Sequence, residues 1–186
     1  MHILIKNKHI NYDNYKVRCS IGKRGIGYKK KEGDLITPRG TYKIIQILCR
    51  KDRVHKIRSK FKIQAINKKM GWCNDPKSKD YNRLIYYPFK FSSEKLYRID
   101  NIYDIILVLN YNYNPIIKGK GSAIFIHVCK KDFKPTEGCI AVKKGVLKNL
   151  LKKIYKGTQV KIIYHLSPKI KHPTLTKVEL NFTASW

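Results

Sequence analysis

Apolar and polar residues interleave along this chain in short runs of the kind that form strands. Six segments carry the pattern: Ile3–Lys6, Tyr15–Ser20, Thr41–Leu48, Tyr103–Asn110, Ser122–Val128 and Gln159–Tyr164. Each is rich in Ile, Val, Tyr or Phe and is bounded by Gly, Pro, Asn or Asp. Ala123-Ile124-Phe125-Ile126 is continuously apolar, which predicts a central strand buried on both faces. One stretch has a different period. Val146, Leu147, Leu150, Leu151 and Ile154 recur three and four apart, which predicts a helix from Val146 to Tyr155 with Lys on its other face. Gly157 supplies a stop, and the lysines of the last turn suit the helix dipole. From Leu166 to Trp186 the pattern lapses, broken by Pro168 and Pro173. The reading is a mostly β domain with one or two helices, and its strand-rich order argues against a doubly wound fold.

Composition narrows the picture. A chain of 186 residues fits one domain with a real core, so neither disulfide nor metal is needed for stability. Hydrophobic content of 42% excludes wholesale disorder. The net charge is +29, from 41 Lys+Arg against 12 Asp+Glu. Such a charge invites a nucleic-acid reading. However, 33 of the cations are Lys and only 8 are Arg, and they are scattered, with Lys29-Lys30-Lys31 the longest cluster. Nucleic-acid sites favour the bidentate fork of Arg. No nucleic-acid partner is therefore expected, and the charge reads as a solvated cationic surface.

Five cysteines are present, an odd number, with no CxxC pair. This argues against a disulfide framework or zinc finger and suits a reducing compartment. The N-terminal apolar run, Ile3-Leu4-Ile5, is too short for a secretory leader, which needs about 7–15 residues. No run approaches the roughly 18 apolar residues of a membrane span. As written, the chain is expected to be soluble and cytoplasmic.

Three stretches carry unusual turn chemistry. The first is Glu32-Gly33-Asp34-Leu35-Ile36-Thr37-Pro38-Arg39-Gly40. The second is Gly71-Trp72-Cys73-Asn74-Asp75-Pro76, followed by Tyr81-Asn82-Arg83. The third runs from Ile126-His127 to Thr136-Glu137-Gly138-Cys139-Ile140. In the third, Gly138 precedes Cys139, and a Gly there lets backbone N–H groups approach a reacting carbonyl. His127 ends the apolar strand twelve positions earlier, and the loop through Pro135 returns the chain toward it. Cys139 within hydrogen-bond reach of His127 would make a nucleophile–base pair, with surrounding positive charge favouring the thiolate. The competing reading of a lone Cys is a small buried hydrophobe.

Together the three stretches resemble the L,D-transpeptidase catalytic domain, the YkuD-type family of peptidoglycan enzymes, in a short single-domain branch. The family's His at a strand end followed by Ser/Thr-His-Gly-Cys is matched by His127 and Thr136-Glu137-Gly138-Cys139. Its Gly-Asp…Thr-Pro-x-Gly turn is matched by Gly33-Asp34 and Thr37-Pro38-Arg39-Gly40. The resemblance covers roughly residues 1–165 and leaves 166–186 as a C-terminal tail. It implies a β-sandwich or barrel-like fold and a bacterial enzyme, periplasmic if exported by another route. It also implies roles: Cys139 as the nucleophile that forms a thioester with a stem peptide, His127 as proton acceptor and donor, and backbone N–H groups of Gly138 and Cys139 at the oxyanion. Thr136 would shape the loop and, with Glu137, contact substrate. Two departures stand out. Glu137 replaces the family's His, and Ala141 replaces a common Arg or Asn. The His-to-Cys spacing is also shorter than usual.

The partners implied are peptidoglycan stem peptides. Trp72 is a candidate wall of the substrate site, with a core position as the competing reading. Arg50, Arg53 and Arg83 are candidates to clamp a substrate carboxylate, with structural ion pairs as the competing reading. His127, Cys129, Cys139 and His165 lack metal-ligand spacing, so no metal is expected, and no cofactor is implied. The alternatives to a transpeptidase are an L,D-carboxypeptidase that passes the acyl group to water, and a non-catalytic basic module that grips peptidoglycan or nucleic acid.

Overall fold

The computed structural model describes residues 1–164. His165 and the tail 166–186 lie outside the described residues. In chain order the strands are β1 (His2–Lys6), β2 (His9–Tyr12), β3 (Tyr15–Arg18), β4 (Ile26–Gly27), β5 (Thr37–Pro38), β6 (Gly40–Cys49) and β7 (Ile63–Ala65). They continue with β8 (Met70–Cys73), β9 (Leu84–Tyr86), β10 (Ser93–Lys95), β11 (Ile105–Leu109), β12 (Phe125–Val128), β13 (Ile140–Val142) and β14 (Gln159–Ile162). One α-helix, α1 (Lys144–Lys153), precedes β14, and a short 3-10 turn spans Lys131–Phe133.

A nine-stranded sheet runs β13-β12-β11-β6-β14-β1-β2-β3, with β7 also pairing with β6. Most neighbours are antiparallel, while β1 with β14, β12 with β13 and β6 with β7 are parallel. A second sheet places β8 between β10 and β9, and β4 pairs with β5. The large sheet nearly closes on itself. Past β3 the chain bridges to β13: Ser20 N–H donates to the Ala141 carbonyl at 2.7 Å, and the Ser20 carbonyl accepts the Ala141 N–H at 2.9 Å. Just beyond, Thr136 N–H donates to Ile21 O and Lys23 N–H to Thr136 O. Closure therefore falls on the loop that carries Cys139.

The pleat sorts side chains to two cores. On β11, Ile105, Leu107 and Leu109 join the larger cluster, whereas Ile106 and Val108 join the smaller one. The larger cluster includes Leu147, Leu150, Leu151 and Ile154 of the α1 segment, the apolar stripe predicted from spacing. The smaller packs Trp72 and Met70 of the three-stranded sheet, and Leu96 just after β10, against Leu48, Ile106 and Phe125 of the large one. The four residues of β12 are buried, as its apolar run predicts for a strand between two neighbours.

The predicted 122–128 strand is shortened to 125–128. Gly121 and Ala123 both have positive φ, 105° and 52°, which breaks the extended backbone before Phe125. Among the described residues no helix is long and apolar enough to cross a membrane.

Candidate active site

The site is built where β12, β13 and the loop before β13 meet. On β12, Ile126 and Val128 enter the larger core, so Phe125 and His127 face the other way. On the neighbouring strand β13, Ile140 and Val142 enter the same core, which leaves Cys139 and Ala141 on the His127 face. The two-residue period thus brings His127 and Cys139 to one side of the sheet from twelve positions apart. Both line a cavity of about 350 Å³, together with Lys29, Glu32, Glu94, Arg98, Tyr103 and the 134–138 loop.

Cys139 is half-buried. Its thiol donates to the Ala123 carbonyl at 2.9 Å, and Phe125 N–H donates to Sγ at 3.3 Å. Burial pushes the thiol up to about 12, and the negative charges of Glu94 and Glu137 push the same way. The resting thiol is therefore protonated, contrary to the expectation that positive surroundings would favour the thiolate. Lys29 does pull the other way, but burial outweighs it.

His127 is buried, and its Nδ1 lies 2.9 Å from the Val128 carbonyl. A carbonyl only accepts, so Nδ1 carries the hydrogen and Nε2 is left as the basic nitrogen. The ring meets Tyr103 edge-on, with centroids 5.4 Å apart. Burial lowers its pKa to about 4, although the backbone carbonyls of Val128 and Ile102 favour the proton. Both members of the pair are neutral near pH 7. No hydrogen bond joins them among the described residues, since each is held by a backbone carbonyl instead. Loose pairing of this kind before substrate arrives is common in enzyme sites.

The loop before Cys139 is held by two threonine hydroxyls. Thr136 Oγ1 donates to the Cys139 carbonyl at 2.6 Å and accepts the Gly138 N–H at 3.2 Å. Thr37 Oγ1 donates to the Gly138 carbonyl at 2.8 Å and accepts the Gly22 N–H at 2.7 Å. The Thr-Pro-x-Gly turn thus grips the nucleophile loop from below. Gly138 has φ 149°, and a Cβ there would meet the Ile36 carbonyl at 3.0 Å, so only Gly is accommodated. Because Thr136 occupies the Gly138 N–H, the Cys139 N–H is the backbone donor left free among the described residues.

The Gly-Asp turn has a structural reason as well. Asp34 accepts Lys29 Nζ at 2.6 Å and the N–H groups of Lys30, Lys31 and Ile36. Burial would raise this carboxyl, but Lys29 and those N–H groups hold it below its ordinary value. The pair pins Lys29, whose stem fills the space a Cβ on Gly121 would need, at the cavity wall.

Other candidates fall outside the cavity. Trp72 is a core residue: it packs edge-on against Phe125 and donates Nε1–H to Asn82 Oδ1 at 3.0 Å. Arg50 is buried, bidentate to Asp52 and stacked on Tyr97. Arg53 is committed to the Asp100 carbonyl and Asp104. Arg83 is exposed, away from the cavity lining. The guanidinium at the cavity is Arg98, bidentate to Asp100. Glu137 is exposed at the cavity rim, and Ala141 is buried in its floor.

Several contributors escaped sequence reading. Asn82 Oδ1 accepts both Trp72 Nε1–H and Ala123 N–H, and its Nδ2 donates to the carbonyls of Tyr111 and Asn112. Asn82 therefore holds Ala123, whose carbonyl holds the Cys139 thiol. Its Tyr81-Asn82-Arg83 setting was visible as unusual turn chemistry, but apart from Trp72 its partners lie about 30 and 40 residues away. Glu94 and Tyr103 had no local signal.

Comparison with known proteins agrees with this architecture. Residues 2–162 match the YkuD family, the L,D-transpeptidase catalytic domain. No curated protein matches the chain significantly. Similar solved structures include Bd1075 of Bdellovibrio bacteriovorus, at 17% identity and TM-score 0.44, covering 87% of this chain and 46% of that one. Another is Pgp2, the helical cell shape determining protein of Campylobacter jejuni, at 17% identity and TM-score 0.45, covering 88% and 47%. A third is the Ldtfm–avibactam carbamoyl enzyme, at 13% identity and TM-score 0.43, covering 87% and 48%. The chain spans about half the length of each. The family match runs from the first strand to the last described one and takes in the whole cavity, so the chain belongs to the L,D-transpeptidase catalytic-domain family.

Proposed function

We propose that this domain is a cysteine acyl-transfer enzyme that acts on peptidoglycan stem tetrapeptides ending in meso-diaminopimelate and D-Ala. The observation that carries the reading is the placement of the Cys139 thiol and the His127 imidazole on one face of the sheet, at one cavity, beside a free Cys139 N–H. Cys139 is the nucleophile. As Sγ attacks the carbonyl of the L,D bond, its proton passes to His127 Nε2. The oxyanion that forms is met by the Cys139 N–H, a donor fixed before reaction begins. The C–N bond then breaks, His127 returns the proton to the leaving nitrogen, and D-Ala departs from a thioester. The Thr37 and Thr136 hydroxyls keep the loop in register throughout.

The starting state of a neutral thiol and a neutral imidazole supports proton transfer coupled to attack rather than a preformed ion pair. The thioester then meets an amine, giving a new amide cross-link, or water, giving a tripeptide. These outcomes are transpeptidation and L,D-carboxypeptidation. The test is mass spectrometry of purified tetrapeptide incubated with the protein, with and without an added amine. Loss of one D-Ala is expected, together with a covalent adduct on Cys139, and Cys139→Ala abolishes both. Persistent D-Ala release by C139A sinks the mechanism.

A further inference from the structure

We propose that Glu94 is the residue that receives the attacking ammonium group of the acceptor and takes its first proton, which directs the thioester toward an amine rather than water. The assignment rests on the cysteine reading above. Glu94 stands opposite Trp72 in the β10–β8 pair, so its side chain leaves the small sheet on the same face as that buried indole. A carboxylate on such a face is costly unless it serves something. Its Oε1 accepts the Tyr103 hydroxyl at 2.6 Å. Its Oε2 has no protein partner among the described residues and is not sealed from solvent, and it opens on the cavity that Glu94 lines.

Glu94 makes no ion pair among the described residues, and the nearby Arg98 is already bidentate to Asp100. The carboxylate is thus left available to a cation from outside. Glu94 and Cys139 line the same cavity, so a group bound to Glu94 shares that space with the thioester, and the Glu94 charge also helps raise the thiol. Burial raises the Glu94 carboxyl; the Tyr103 hydroxyl and Arg98 oppose the rise without cancelling it, and Glu137 and Asp100 add to it, which makes Glu94 a better proton acceptor than a surface carboxylate. Tyr103 links the two halves of the chemistry, since its hydroxyl holds Glu94 while its ring meets the His127 imidazole.

The step balances as follows. A primary ammonium docks on Glu94 Oε2 and gives it one proton, leaving a free amine. The nitrogen lone pair attacks the thioester carbonyl, forming C–N, and the nitrogen's second proton passes to His127 Nε2. The C–S bond breaks and His127 delivers that proton to Sγ. The products are an amide, a neutral Cys139 thiol and a protonated Glu94 that returns its proton to solvent.

The test uses the full chain, tetrapeptide as donor and Nα-acetyl-lysine amide as a cationic acceptor. Hydroxylamine, uncharged at neutral pH, serves as the control acceptor. Glu94→Gln keeps the shape and an acceptor for Tyr103 but loses the charge. The ratio of lysine amide to hydrolysed tripeptide is expected to fall at least tenfold in E94Q, while the hydroxamate-to-tripeptide ratio stays within about twofold. In the unmodified protein, added NaCl should raise the lysine concentration needed for half-maximal transfer but not the hydroxylamine concentration. A lysine ratio unmoved by E94Q, or equal losses with both acceptors, overturns this assignment. A salt effect that is the same for both acceptors does so independently of any variant. Absence of D-Ala release by the unmodified protein overturns instead the cysteine reading beneath it.

Discussion

At the scale of single residues, His127 decides the pH behaviour. It must be neutral to accept the thiol proton, and burial holds its pKa at about 4 rather than the ordinary 6.5. The acid limb of kcat/KM is therefore expected near pH 4, with little loss between pH 7 and 5, when D-Ala release is followed across buffers. A limb near 6.5 would mean that the ring is solvated in solution. Stability follows the same group. The unfolded chain binds a proton at about 6.5 and the folded chain only at about 4. The His127 contribution is then complete above pH 6.5 and is lost as pH falls toward 4. Cys139 is matched to this partner, because a thiol held near 12 does not titrate over the same range. Alkylation of Cys139 at neutral pH should accordingly be slow in the resting enzyme.

At the scale of elements, short strands explain what sequence reading caught and missed. The long run of β6 and the heptad-like stripe of α1 were legible because each repeats its period several times. By contrast, β7, β9 and β10 have three residues each, too few to show alternation. The pair His127 and Cys139 was legible because two unusual residues flank one loop. Glu94 and Asn82 were not, since their roles depend on pairing with segments far away in sequence. The three-stranded sheet matters for the site, because β10 carries Glu94 and the turn between β8 and β9 carries Asn82. Asn82→Ala would strand the buried Trp72 Nε1–H, at about 1–3 kcal/mol, and would also leave the part-buried Ala123 N–H and two part-buried carbonyls without this partner. The expected result is a loss of at least about 2 kcal/mol in denaturant unfolding, together with reduced D-Ala release as the Ala123 carbonyl drifts from the thiol. Unchanged activity in N82A would show that Ala123 is placed by other contacts.

At the scale of the whole molecule, charge and topology dominate. The acids are few and much used: Asp104 alone receives Lys144 and Arg53, which ties the start of α1 to the segment after β6. The excess of cations, +29 in net charge, has no such partners and repels itself. Melting temperature should therefore rise as NaCl is added up to a few hundred millimolar, when followed by circular dichroism. A flat or falling curve would show that the ion pairs outweigh the repulsion. The sheet order has a further consequence. Strand β14 lies between β6 and β1, so the first three strands pair with the rest of the large sheet along the last described one, and the bridges beyond β3 to β13 close the other side. During synthesis, the opening β1–β2–β3 meander therefore waits on the ribosome for a partner made some 150 residues later, and the nucleophile loop it seals is finished only when translation has nearly passed the whole domain.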